Sequence, residues 1–221
     1  MKQMKWIGLL LLILLFAVAC SKKEAAETKN QPAKAQAETM NDTQDSVAIL
    51  ETSDGRVVID LFEDQTPLHA ANFKKLMHSG VLKGTYFHRI IPNFVVQGGD
   101  PNTKNDARND DGMGGVGDRI PAEIGQKHLR GCVGAARDNN PAKASNGSQF
   151  YICLTNLPQL DGNYTVFGKV VEGMNNVDLM AQAATDANDN PLEHIYINDT
   201  SVMSKADYAN MKAEAAKGNG K

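Results

Sequence analysis

Basic charge is what this sequence most lacks. Its 221 residues carry 23 lysines and arginines against 26 aspartates and glutamates, a formal charge of −3. Setting aside residues 1–19, whose only charges are Lys2 and Lys5, leaves 21 basic against 26 acidic residues, or −5. A nucleic-acid partner needs a basic face, so none is expected. Cysteine is scarce too, three in all, and neither the cysteines nor the five histidines fall at zinc-binding spacings. The chain order suggests no Ser-His-Asp arrangement. The acidic loops DARNDDG and DANDNP lack the glycine and glutamate spacing of an EF-hand. Gly112 to Gly117 spells GxGxxG, but polar loop precedes it and Pro121 follows, where a dinucleotide site needs a strand before and a helix after. No metal and no cofactor is expected.

Long apolar runs are missing with one exception, Ile7 to Val18, which is shorter than the roughly 18–20 residues that span a bilayer. Behind a short basic start and ahead of Ala17-Val18-Ala19-Cys20, it has the pattern of a signal peptide over residues 1–19. A cysteine directly after small residues resembles a bacterial lipobox, with Ala17 where leucine is usual. The resemblance implies lipidation at Cys20, anchoring to a membrane of the bacterial cell envelope, and exposure to the periplasm or the exterior; ordinary cleavage and secretion is the alternative. From there to residue 46 the chain is rich in Lys, Glu, Ala, Gln and Thr and cannot pack, so residues 20–46 are expected to be a disordered tether. As a flexible coil it would reach on the order of 30 Å from the anchor.

Apolar content of 42% over this length suffices for one core. VAILET and GRVVIDLF flank Ser53-Asp54-Gly55, which predicts a hairpin. Thr66-Pro67 predicts a helix capped by the threonine hydroxyl, with Leu68, Phe73, Leu76 and Met77 inward and Gly80 ending it. His69 and His78 on this helix read as surface residues. Short strands are expected at TYFHRI, NFVVQG, LRGCVGAA, SQFYICL, YTVFGKVV and EHIYIN, with a second helix over residues 177–184. Many short strands and two principal helices predict a mainly β domain over residues 47–203, a closed or nearly closed antiparallel barrel. Residues 204–221 form an extension in which Ser204 and Asp207 mark a short helix.

Three blocks remain: FHRIIPNFVVQGGD at residues 87–100, NGSQFYI at 146–152 and LDGNYTVFGKV at 160–170. The first resembles the FHRxIPxFxxQGGD signature of cyclophilin-type peptidyl-prolyl cis-trans isomerases, the second its NGSQFFI and the third its LDGxxxVFGxV, in the right order. The resemblance implies a closed eight-stranded antiparallel barrel capped by two α-helices, with an active-site groove on its outer surface. It implies Arg89 as the catalytic arginine and His88, Phe94, Val95, Gln97, Ala136, Arg137, Gln149, Tyr151, Leu160 and Tyr164 as substrate-binding residues. Tyr151 stands for the usual phenylalanine, Tyr164 for a frequent histidine, Val95 for a common methionine and Arg137 for an asparagine. Gln159 stands where cyclosporin-sensitive members carry tryptophan. The partners implied are proline-containing polypeptides, met by a monomer.

Taken singly, these residues have plainer explanations. An arginine at a strand edge is usually a surface ion-pair partner, Phe94 and Leu160 suit a core, and Gln97 suits a turn. The isomerase reading competes with a tethered peptide-binding or chaperone module of weak or no turnover. Cys132 and Cys153 fall opposite each other if Ala136 lies opposite Gln149, and either a cross-strand disulfide or two buried thiols is compatible with that placement.

Overall fold

The computed structural model describes residues 45–105 and 107–218. The expected signal peptide, Cys20 and all but the last two residues of the expected tether lie outside the described residues.

The predicted hairpin is present. Ser46–Thr52 (β1) and Gly55–Leu61 (β2) pair antiparallel with Thr52 opposite Gly55. Gly55 has φ +114°, which L side chains rarely adopt, so glycine is needed where the chain turns back. Both faces of β1 are apolar because both are covered. Ala48 and Leu50 enter the main core, while Val47 and Ile49 pack under a C-terminal helix.

Helix α1, Pro67–Ser79, ends on Gly80 at φ +69°, but its start departs from the expectation. Thr66 makes no side-chain cap bond. The free N–H groups of Leu68 and His69 go instead to the Glu123 carboxylate, each at 3.0 Å. Phe73, Leu76 and Met77 face inward as expected, but Leu68 is half exposed, and His69, expected at the surface, is 2% exposed. Its ring bridges Glu123 and the buried Ser145, which makes a histidine affordable in the interior.

After α1 come Arg89–Ile91 (β3), Val95–Gly98 (β4), Cys132–Ala135 (β5), Phe150–Cys153 (β6), Val166–Glu172 (β7), Met174–Met180 (α2), Ile197–Ser204 (β8) and Lys205–Gly218 (α3). The second helix thus starts and ends earlier than predicted. The last strand begins within EHIYIN rather than ending there, because its pairing residues are those that meet β1. All eight strands form one antiparallel sheet in the order β3-β4-β6-β5-β7-β2-β1-β8. The expected closed barrel is not formed: the sheet is an open half-barrel. β3 is only three residues long and forms no ladder with β8; the residues before it cross the seam by individual bonds, Gly84 N–H to Ile197 O and Ile197 N–H to Thr85 O, both 2.8 Å, and by the isolated Tyr86–Tyr196 bridge.

Phe73 of α1 packs edge-on to Phe150 at 5.3 Å and tilted on Phe167 at 5.0 Å, filling the hollow of the curved sheet. Where two capping helices were expected, the described residues hold three α-helices with the extension. α3 opens as its sequence predicts, with Asp207 N–H on Ser204 Oγ at 3.0 Å, and lays Tyr208 and Met211 over Val47, Ile49 and Val58.

Candidate active site

Antiparallel pairing places Arg89 opposite Gln97, Gln97 opposite Tyr151, and Tyr151 opposite Gly134. Residues in one register row share a face of the sheet, and the next row takes the other face. The next row is Ile90, Val96, Ile152 and Val133, every one 0% exposed in the core. Burial of the aliphatic row therefore forces the Arg-Gln-Tyr row outward. This decides what a guanidinium does inside an apolar stretch: it alternates with the core.

Around that row lies a groove of about 440 Å³, counting the space open to solvent. Nine of the eleven residues expected in the site line it: Arg89, Phe94, Val95, Gln97, Ala136, Arg137, Tyr151, Leu160 and Tyr164. The other two sit beside it. His88 lines an adjoining hollow that also includes Arg89 and Gln97. Gln149 lines a second one, with Gln97, Ala136 and Arg137.

Arg89 is loosely held. Its Nη1 is 3.5 Å from Gln97 Oε1, its Nε is 3.7 Å from Asp189 Oδ2, and its Cζ lies 5.9 Å from the Phe94 ring centre. With side chains 39% and 46% exposed, the Arg89–Asp189 pair is worth about 0–1 kcal/mol. The glutamines are held more firmly. Gln97 Nε2 donates to Gln149 Oε1 at 3.0 Å, and Gln149 Nε2 donates to the carbonyls of Gly112 at 2.9 Å and Gly114 at 2.7 Å. The GxGxxG run thus serves as a loop whose backbone comes close to the site. A Cβ on Gly114 would fall 2.2 Å from Asp100 Oδ1. Burial pulls the His88 pKa down, against an opposing pull from Asp100 and Asp111, which favours a neutral ring next to Arg89.

On the far wall, Arg137 does not project into solvent. Its Cζ sits 4.7 Å from the Tyr164 ring centre while its Nε donates to Asn163 O at 2.9 Å. A tyrosine here gives that arginine a rigid platform. The two thiols lie behind the groove: Gly131 N–H bonds Cys153 O at 2.8 Å, and Cys132 and Cys153 are both buried and unbonded.

Several participants were not among the residues expected in the site. Asp189 reaches Arg89 from a loop a hundred residues later, anchored where Ile90 N–H donates to its carbonyl at 2.8 Å. Asn146 holds the backbone of the second block, accepting Ser148 N–H at 2.9 Å and Gln149 N–H at 3.0 Å. Ser145, His69 and Glu123 even form a hydrolase-like chain, with Oγ to Nε2 at 3.0 Å and Nδ1 to Oε2 at 2.6 Å. Ser145 is 1% exposed, so no acyl substrate reaches it and the chain fastens α1 to the loop beside the groove. Among the described residues no group of three or more histidine, cysteine, aspartate or glutamate side chains could hold a metal ion, and no helix is long and apolar enough to cross a membrane.

A groove of two arginines, Gln97 and aromatic residues, with Gln149 beside it and no nucleophile in it, suits a reaction that rotates a bond rather than breaking one. Comparison with known proteins agrees. The family model described as cyclophilin type peptidyl-prolyl cis-trans isomerase/CLD matches residues 47–202. A peptidyl-prolyl cis-trans isomerase-like 1 of Gibberella zeae is 38% identical over 154 residues, 67% of this chain and 90% of that protein. A probable peptidyl-prolyl cis-trans isomerase of Brucella suis is 40% identical over 150 residues, covering 65% and 76% of the two chains. A crystal structure of a Cryptosporidium parvum cyclophilin type isomerase, in the presence of the dipeptide Ala-Pro, superposes with a TM-score of 0.66 at 33% identity, covering 72% of this chain and 99% of that one. On this match, and on the outward row of Arg89, Gln97 and Tyr151 that accompanies it, the chain belongs to the cyclophilin-type peptidyl-prolyl cis-trans isomerases.

Proposed function

We propose that the groove around Arg89 holds the proline of a polypeptide substrate and that Arg89 supplies the charge that lowers the barrier to X-Pro rotation. The carrying observation is the gathering of seven residues of the three motif blocks, Arg89 among them, into one groove with Ala136 and Arg137. The planar amide resists rotation by roughly 18–20 kcal/mol because nitrogen donates its lone pair into the carbonyl. In the twisted transition state the lone pair returns to the proline nitrogen, which then accepts a hydrogen bond that it refuses in the ground state. X-Pro bonds turn over in tens to hundreds of seconds unaided, so a rate of about 10 s⁻¹ asks for roughly a thousandfold, about 4 kcal/mol. A charge-assisted hydrogen bond contributes about 1.5–3 kcal/mol. Apolar contact with Phe94, Val95 and Leu160 and the fixed amides of Gln97 and Gln149 would supply the remainder.

The weak tethering of Arg89 supports this role, since its guanidinium keeps donors free for a substrate. Arg89→Ala is expected to lower kcat/KM at least tenfold in a protease-coupled isomerisation assay on the full chain, with the unfolding midpoint nearly unchanged. Activity within twofold of wild type would sink the assigned role. The same assay separates an isomerase from a binding module, because a module that holds prolyl peptides without turnover does not accelerate the slow cis-to-trans phase above the thermal rate.

The envelope setting belongs to the same proposal. The lipobox-like stretch ending at Cys20 and the unpackable composition of residues 21–46 support a lipid-anchored domain that accelerates folding of exported proline-containing polypeptides in the bacterial envelope, as a monomer. A Cys20→Ser form should lose fatty-acid labelling and leave the membrane fraction, and unchanged labelling would refute the anchor.

A further inference from the structure

Tyr151 forms the back wall of the groove, yet it is 4% exposed and its hydroxyl is committed elsewhere. Tyr151 Oη is 2.9 Å from Nε2 of His128, a residue only 1% exposed. Nδ1 of the same ring is 2.9 Å from Asp161 Oδ1, which also accepts His128 N–H at 2.8 Å. An ionised carboxylate only accepts, and the bonds from His128 hold the Asp161 pKa below its ordinary value. The Nδ1 of His128 therefore carries a proton, and in the neutral ring Nε2 is left to accept from the tyrosine hydroxyl. The three groups form a one-way chain from the groove wall to the surface, Tyr O–H to His N and His N–H to Asp O.

The slot that receives the phenol is left open by Gly134, the cross-strand partner of Tyr151. A Cβ at Gly134 would stand 2.3 Å from Cζ and 2.4 Å from Oη of Tyr151, inside any possible contact. The ring then meets Tyr164 edge-on at 6.0 Å, and Tyr164 carries the Arg137 guanidinium. Position 151 thus fixes much of that wall. Arg89, Gln97 and Gln149 are held by separate bonds that do not pass through His128.

We infer that His128, oriented by Asp161, is a positioning residue: it locks the Tyr151 phenol into the Gly134 slot and so sets the width of the groove that grips the prolyl residue. The inference rests on the reading that this groove binds the substrate. Because the guanidinium and the glutamines are supported independently, loosening this wall should weaken binding and leave the rotation step alone.

The experiment compares each of His128→Leu and Asp161→Asn in the native background and in a Tyr151→Phe background, measuring kcat and KM by isomerisation of a Xaa-Pro peptide on the full chain, with Arg89→Ala alongside. With Tyr151 present, His128→Leu is expected to raise KM about five- to tenfold and Asp161→Asn about two- to fivefold, with kcat within twofold of its parent. With phenylalanine at 151 there is no hydroxyl to hold, so the same changes should shift KM by less than twofold. If His128→Leu does not fold, the Asp161→Asn pair alone carries the comparison, since that carboxylate is 32% exposed and an amide keeps its shape. Equal KM effects in the two backgrounds, or none in either, overturn the proposal, and if Arg89→Ala is inactive in the same series the groove reading stands without it. An active Arg89→Ala would instead remove the groove reading.

Discussion

Removing the Glu123 carboxylate tests whether this fold is held at the beginning of α1 by a residue 55 positions away. One carboxylate accepts the N–H of Leu68 at 3.0 Å, the N–H of His69 at 3.0 Å and Nδ1 of His69 at 2.6 Å. Glu123→Ala frees two helix-start amides, a loss of about 1 kcal/mol by the usual value of a cap. It also orphans a ring N–H on a histidine 2% exposed, which costs about 1–3 kcal/mol. The sum, about 2–4 kcal/mol, corresponds to roughly 5–15 °C in Tm for a domain of this size. Glu123→Gln keeps one acceptor but points an amide donor at another donor, so its midpoint should fall between alanine and wild type. The assay is urea and thermal unfolding of the full chain followed by circular dichroism. A Glu123→Ala loss below about 0.5 kcal/mol, or a Thr66→Ala loss larger than that of Glu123→Ala, would show that the helix start is held locally after all.

Burial lowers the pKa of both His69 and His88. A histidine whose folded pKa is depressed contributes stability that is complete above its unfolded pKa of about 6.5 and is lost as pH falls through the folded value. The urea midpoint should therefore drop between pH 7.5 and pH 5, before the carboxylates titrate, and a flat midpoint over that window would contradict the burial of neutral rings. The thiols give a second check: burial pushes Cys153 up to about 12 and raises Cys132, so native protein should resist alkylation, while the denatured, unreduced Cys20→Ser form should show two free thiols. Finding none would mean that the facing pair is bridged. Gln159 is exposed on the turn Pro158–Leu160 beside the groove. It lacks the rigid aromatic area of the tryptophan found in cyclosporin-sensitive members, which is worth on the order of 2–4 kcal/mol at a hot spot. Inhibition by cyclosporin should thus be tenfold to a thousandfold weaker than in tryptophan-bearing members and tighten in Gln159→Trp. Stoichiometric nanomolar inhibition of the wild type would overturn this.

Local chemistry decided the hairpin at Ser53-Asp54, the end of α1 at Gly80 and the Ser204-Asp207 start of α3, because a positive φ, a two-residue turn and a short polar cap act over a few residues. The alternation of Arg89, Ile91 and Val95 with Ile90 and Val96 likewise carried the division between groove and core, since a strand has period two wherever it lies. What the sequence by itself left undecided are contacts set by how separate elements pack. His69 looks like any polar helix residue until Glu123 and Ser145 arrive on either side of its ring. His128 has no motif to mark it, and acquires its place only when the turn bearing Asp161 and the strand bearing Tyr151 close around it. The sheet stays open for the same reason: whether β3 meets β8 depends on twist accumulated over eight strands, which is not written in any one segment.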